Sequence, residues 1–226
     1  MAGLVHVALR IAVLSLLRDR LTYTRHCFAR LRWNAGCPYD HYVLDQGSKD
    51  GTVDWLARQT RFKRRVLLPS NVGISAGINR LLDTLEGEYD VVVKFDNDCA
   101  LTQPDTLRDI AQLVMESGVL LSPRILGLRR PPAAQGEFFI GEERILDVPQ
   151  IGGIFLAAPG PVYQTFRNDE TNDDDDVQLC WAYRGQGGRC GYVARLEAWH
   201  HETTDGQWTR YPDYFERRVK EGGRAY

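Results

Sequence analysis

The stretch Asp90-Val91-Val92-Val93-Lys94-Phe95-Asp96-Asn97-Asp98 decides the fold class. Three consecutive β-branched valines followed by an aromatic read as a strand buried on both faces, the kind found inside a parallel sheet. The strand is predicted over 90–96 and ends on two carboxylates two residues apart. In extended backbone, residues i and i+2 point the same way, so Asp96 and Asp98 should project together from the strand end. Ligands of open α/β sheets bind beyond the carboxyl ends of the strands. Paired hard oxygens at that place suit Mg²⁺ or Mn²⁺, which draw further ligands from water and substrate phosphates. A solvated turn is the plain alternative.

Working outward, short apolar runs alternate with segments of helical periodicity. Strands are predicted at 5–14, 41–45, 65–68 and 118–123, and helices at 22–33, 52–60, 74–85 and 105–116. That alternation is the signature of a parallel sheet with crossover helices. Two further motifs sit at strand ends. Asp45-Gln46-Gly47-Ser48-Lys49-Asp50-Gly51-Thr52 follows the second strand: Asp45 faces the crevice, Gly47 and Gly51 allow tight turns, and Asp50 or Thr52 can cap the next helix. Asn71-Val72-Gly73-Ile74-Ser75-Ala76-Gly77-Ile78-Asn79 follows the third. Ordinary turn chemistry accounts for most of it, whereas Gly77 and Asn79 are candidates for contact with a ligand.

After Pro123 the alternation fails. Residues 126–143 are rich in Gly, Pro and Arg, including Arg129-Arg130-Pro131-Pro132, and read as a long loop and candidate acceptor-side lid. Beyond it a strand is predicted at 152–157, a helix at 173–184, a strand at 192–196 and a helix at 211–220. The acids Asp173 to Asp176 suit the helix start, where the macrodipole favours negative charge.

The 226 residues suffice for one large or two small domains. Lys plus Arg number 28 against 30 Asp plus Glu, a net charge of −2, which argues against a polycation that coats nucleic acid. A 43% hydrophobic fraction with 10% aromatics fits a folded globular chain. The five cysteines contain no Cys-x-x-Cys spacing and are read as reduced thiols. The apolar run Ile11 to Leu17 is seven residues long, where a membrane span needs about 20. No signal-peptide pattern precedes it, so a cytoplasmic protein is expected.

Taken together, Asp-x-Gly-Ser-x-Asp-Gly-Thr at 45–52, Asn-x-Gly at 71–73 with Asn79, and Asp-x-Asp at 96–98 resemble glycosyltransferase family 2, nucleotide-sugar-dependent enzymes of the GT-A fold. The similarity continues through Gly152-Gly153-Ile154-Phe155-Leu156, the acidic run and His200, covering about residues 5–201. The resemblance implies an α/β, Rossmann-like, mostly parallel sheet flanked by helices in a single domain 1–226. Residues 1–123 would form a nucleotide-binding half and 124–226 an acceptor and catalytic half. It implies a UDP- or GDP-sugar donor and transfer to an acceptor hydroxyl with inversion. Asp45, with Gly47, Ser48, Asn71, Gly77, Asn79, Asp96, Asn97 and Gly153, would face the donor. Asp96 and Asp98, Asp98 the more direct, would hold Mn²⁺ or Mg²⁺ with a histidine of the pair His200-His201, only one of which can face the site from extended backbone. His200 is favoured by its spacing. The ion would stabilise the departing diphosphate as a Lewis acid. A general base would come from the four-Asp run, assigned to Asp174 and Asp175.

Two other classes stay open on the sequence. A nucleotidyltransferase also uses paired carboxylates and Mg²⁺, but ordinarily shows a Gly-rich loop after the first strand, where this chain has Leu17-Arg18-Asp19-Arg20. A non-catalytic nucleotide-sugar-binding module would bind without turnover. The acceptor is open among small molecules, glycans, proteins and modified nucleic acid. The basic clusters Arg61-Phe62-Lys63-Arg64-Arg65 and Arg129-Arg130 would suit an anionic acceptor, although such runs are usually solvated faces.

Overall fold

The valine-rich strand is the centre of the molecule. In the computed structural model, which describes residues 9–128, 132–171, 174–201, 209 and 211–220, it is β4 (Val91–Phe95), and all five of its residues are buried. Ahead of it come β1 (Ile11–Leu17), α1 (Leu21–Asn34), β2 (Asp40–Gln46), α2 (Thr52–Ala57), β3 (Arg64–Leu68) and α3 (Ile74–Leu82). After it come β5 (Cys99–Leu101), α4 (Thr106–Ser117), β6 (Leu120–Leu126), β7 (Gly136–Ile140), β8 (Glu143–Asp147), β9 (Phe155–Pro159), α5 (Gly160–Thr165), α6 (Asp175–Gly185), β10 (Cys190–His200) and α7 (Pro212–Lys220).

The strands form one sheet in the order β3-β2-β1-β4-β9-β6-β10-β8-β7, with β5 added on β10. The stretch β3-β2-β1-β4 is parallel throughout. Strand β9 then enters antiparallel between β4 and β6, and β6 and β10 are again parallel to each other. Helix α3 packs on β1 and β2, α4 on β6 and β9, and α1 against β5 and α4. This is the α/β fold class expected, a mixed sheet flanked by helices. The apolar core runs without a break from Val13 and Val43 through Val92 and Phe155 to Val193.

The departures from expectation lie mostly in the second half. The second part of the loop expected over 126–143 is an antiparallel hairpin: β6 continues to Leu126, and β7 and β8 pair from Gly136↔Asp147 to Ile140↔Glu143 across a turn with Gly141 at φ 57°. The Gly, Pro and Arg content hid the strand-forming run Phe138-Phe139-Ile140. Strand β5 and helix α5 were not foreseen, being short. Strand β10 spans eleven residues, longer than predicted, because its two ends pair with different partners, β8 at Gly191–Val193 and β5 at Ala198–His200. Strand β1 begins at Ile11, and the earlier part of its predicted range, 5–8, lies outside the described residues. Among the described residues no helix is long and apolar enough to cross a membrane.

Candidate active site

A line of polar side chains runs along the carboxyl ends of β2, β1 and β4 to the start of α6. It begins at Asp45, fully buried near the end of β2. Its carboxylate accepts the Ser48 backbone N–H at 3.0 Å and the Ser48 hydroxyl at 2.5 Å. Gly47 makes this reversal at φ 72°, and a Cβ there would stand 2.7 Å from the Pro69 carbonyl oxygen. Burial raises the Asp45 pKa, opposed by the bonds from Ser48. Ser48 Oγ in turn accepts the Asp19 N–H at 2.7 Å, and Asp19 Oδ1 accepts the Lys49 N–H at 2.6 Å. Asp50 ties two helix starts together, accepting from the N–H groups of Leu21 at 2.7 Å and Thr52 at 3.2 Å. That pattern satisfies orphan donors of α1 and α2 with one carboxylate.

The chain then passes through Arg20. Its guanidinium donates to Asp98 Oδ2 at 2.6 Å and to Asn97 Oδ1 at 3.1 Å, and lies 4.6 Å over the ring of Tyr214 of α7. Asn97 Nδ2 donates to Thr24 Oγ1 at 2.8 Å. His200 Nε2 stands 3.5 Å from Asp98 Oδ1. Burial works against ionisation of Asp98, but Arg20 and then His200 overcome it and hold the carboxyl well below the usual carboxylate range. His200 arrives there because β5 pairs with β10, placing it opposite Cys99, and the His201 N–H bonds the Asp98 carbonyl at 3.0 Å. The His201 ring turns the other way, against Tyr23 and His26 at 5.3 and 5.4 Å.

The far end is organised by Lys94, whose place in an apolar run gives no sign of that role in the sequence. Lys94 Nζ, nearly buried, lies 3.1 Å from Asp175 Oδ1 and 3.8 Å from Asp96 Oδ1. Its own burial is outweighed by Asp175, Asp96 and Asp176, which keep it firmly protonated. Asp96 is raised to about 6 by burial, with Lys94 opposing and Asp98 adding to the rise. Asp175 is raised by burial against the pull of Lys94. Gly153 explains the close fit: a Cβ there would stand 2.3 Å from Lys94 Nζ, and the Gly153 N–H donates to Asp176 Oδ2 at 2.7 Å.

Of the acidic run, Asp175 enters the site, Asp176 holds Gly153, Asp174 is exposed at the helix start, and Asp173 lies outside the described residues. The strand ends at Phe95, so Asp96 and Asp98 converge across a turn and not as i, i+2 partners of extended chain. Asn71 accepts the Gly73 N–H at 3.1 Å, the turn role foreseen for it. Gly77 lets α3 approach β1, since a Cβ there would meet Leu16 Cδ2 at 3.0 Å. Asn79 is engaged with the segment leading to α6: Nδ2 donates to Asn168 O at 2.9 Å and Glu170 Oε1 at 3.0 Å, and Oδ1 accepts the Asn168 N–H at 2.9 Å.

The expected metal ligands Asp98 and His200 are thus brought together. Asp98 is engaged by Arg20 and His200, Asp96 leans toward Lys94, and among the described residues no three His, Cys, Asp or Glu side chains converge to hold an ion. Asp98 Oδ1 and His200 Nε2, 3.5 Å apart, are the protein donors that could take a divalent ion together with phosphate oxygens and water. The basic cluster is also engaged internally: Arg65 bonds the carbonyls of Leu56 and Gln59 at the end of α2, Lys63 lies between Asp40 and Glu86, and Arg61 covers Trp55 and Phe62. Arg129 and Arg130 lie outside the described residues.

No protein-family model and no curated protein sequence matches the chain. Solved structures do. A mannosyltransferase, PcManGT, from Pyrobaculum calidifontis in complex with GDP-Man and Mn²⁺ superposes with a TM-score of 0.68 at 15% identity, over 98% of this chain and 67% of that one. S. aureus TarS 1-349 in complex with UDP-GlcNAc gives 0.65 at 16% identity, over 92% of this chain and 64% of that one. GalNAc-T7 with UDP, GalNAc and Mn²⁺ gives 0.65 at 10% identity, over 85% and 43%. These structural neighbours are glycosyltransferases of the GT-A type, and the likeness establishes the fold. The chain spans less than two thirds of the length of the second and third.

Proposed function

We propose that this chain is a nucleotide-sugar-dependent glycosyltransferase of family 2, acting as a single domain over 1–226. The observation that carries the reading is the continuous polar line from Asp45 through Ser48, Asp19, Arg20 and Asp98, with Lys94 joining Asp96 to Asp175 at the start of α6. Asp45 and Ser48 supply fixed hydrogen-bonding groups at the nucleoside end. Asp175 lies at the opposite end, as a base for the acceptor must. The GT-A neighbours solved with GDP-Man, UDP-GlcNAc and UDP support a nucleoside-diphosphate sugar as donor.

In the reaction, the acceptor oxygen attacks the anomeric carbon while its proton passes to Asp175. The bond from that carbon to the β-phosphate oxygen breaks, and its electron pair leaves with the nucleoside diphosphate. Lys94 orients Asp175 and pulls it toward its ionised form, against the burial that raises its pKa. One base on one face gives a single displacement and inversion. A divalent ion held by Asp98 and His200 would stabilise the departing diphosphate as a Lewis acid. The test is a panel of UDP- and GDP-sugars with water as acceptor, read by free nucleoside diphosphate. Release from at least one donor is expected; saturable nucleotide binding with no release from any would leave a binding module.

A further inference from the structure

The exposed arginines fall into two sets. Every described arginine from Arg108 to Arg195 faces a carboxylate. Among the described residues, Arg32, Arg58, Arg61 and Arg64 are paired with none, and all four are exposed. They gather at one end of one face of the sheet. Phe28 of α1 packs 6.5 Å from the Trp55 ring of α2 and 6.0 Å from Phe62, which sets the two helices side by side. Arg32 lies one turn beyond Phe28 on the same stripe of α1, Arg58 follows the end of α2, and Arg64 opens β3. Arg61 covers the Trp55 and Phe62 rings at 5.5 and 5.4 Å. Burial and then the nearby Arg32 lower its pKa, as a like charge held close does. Beside Arg32 stands Trp33, an indole that is 67% exposed.

A cluster of guanidinium charges without carboxylates, set next to an exposed indole, matches the chemistry of one kind of partner. In an anionic bilayer surface, headgroup phosphates accept from the guanidinium fork, and indole rings settle at headgroup level. Nucleic acid would answer the charge alone. The four arginines, however, come singly from separate places in the chain and not as a stripe along one helix or strand that could enter a groove. We infer that this end of the molecule, with Arg32, Trp33, Arg58, Arg61 and Arg64, docks on an anionic phospholipid surface. Such docking lies on the bilayer without crossing it. It also leaves the active site clear of the lipid. The docking end sits at the amino ends of β2 and β3, roughly 20 Å along β2 from the carboxyl end where Asp45 lies. The inference does not depend on glycosyl transfer.

The test is co-sedimentation with vesicles of phosphatidylcholine alone or mixed with about one third phosphatidylserine, which gives the surface its negative potential. The parent should bind the mixed vesicles about tenfold or more tighter than the neutral ones at low salt, and lose the preference at about 1 M salt. Each arginine near the surface is worth about fivefold, so Arg32→Gln with Arg58→Gln should weaken binding by about 25-fold. Arg124→Gln with Arg144→Gln removes the same charge from exposed paired positions and should leave binding within about twofold. Circular dichroism checks that both double variants fold, and Arg64→Gln replaces either member of the first pair if it does not. Brominated phospholipid in the mixed vesicles should quench the tryptophan emission of the parent, and Trp33→Phe should remove most of that quenching. Four results would each overturn the inference: no binding to mixed vesicles at low salt, equal binding to both vesicles, equal losses in the two double variants, or displacement from mixed vesicles by duplex DNA at equal charge concentration.

Discussion

The two ends of the polar line satisfy their carboxylates by different means. At Asp45 the partners are neutral, a backbone N–H and a hydroxyl, both from Ser48 three residues on. At Asp98 and Asp175 the partners are cations, Arg20 and Lys94, each about eighty residues away in the chain. The neutral end can bind by hydrogen bonds alone and tolerates change. The cationic end is a buried charge cluster in which removing one member leaves its partner stranded, so its failures should be large and coupled.

The sharpest break in the comparison is chemical. Asp175→Asn should cut turnover by about 10² to 10⁴ while leaving donor affinity near the parent value, as loss of a general base does. Asp174→Asn, at an exposed position, should leave the rate close to the parent's. Steady-state kinetics with a direct nucleotide titration separates the two quantities.

Next is stability. Lys94→Met strands Asp175 beside Asp96, and breaking a buried pair from one side costs about 3 to 5 kcal/mol. Urea denaturation reads this as a lower midpoint. A loss under about 1 kcal/mol would mean that the cluster is solvated, contrary to the comparison.

The parallel half has a titration of its own. His41 of β2 is buried with its Nε2 3.0 Å from Ser15 Oγ, and burial, with Arg61 adding, lowers its pKa to about 3. Unfolded, the ring titrates near 6.5, so below that value the unfolded state binds more protons and stability falls as pH drops toward 3. At pH 5 the loss should be about 2 kcal/mol relative to neutral pH. His41→Phe should flatten this limb in thermal melts between pH 5 and 7. An unchanged slope would place the acid sensitivity elsewhere.

The smallest effect is expected at Asp45. Its folded pKa is raised, so the ionised form is the less favourable one in the native state, and that unfavourable contribution grows as pH rises through the folded value. Asp45→Asn keeps an acceptor for Ser48 and should change stability by about 1 kcal/mol or less. It should weaken nucleotide binding more than turnover at saturation. A loss as large as that of Lys94→Met would erase the contrast between the ends.

The same contrast explains what was legible in the sequence. The reversal at Gly47, the capping by Asp50 and the buried β4 are local, so their partners lie within a few residues and pattern reading reaches them. The parallel order of β1 to β4 follows from their alternation with helices. Lys94 was hidden because a lone lysine among valines carries no local sign of a partner, although Gly153 was the matching signal, its missing Cβ making room for Nζ. Arg20 carries no local sign that it reaches Asp98, 78 residues on in the chain. The facing of His200 was foreseen from spacing, but its cause, the pairing of β5 with β10, rests on a three-residue strand too short to show periodicity.

The central claim, a single displacement with Asp175 as base on a nucleoside-diphosphate sugar, is tested most directly by following donor hydrolysis in real time by proton NMR. The account predicts that the first-formed sugar carries the inverted anomeric configuration before mutarotation, that nucleoside diphosphate appears in step with it, and that Asp175→Asn slows both by about 10² to 10⁴ while still binding donor. A retained anomer, or undiminished release by Asp175→Asn, would contradict it.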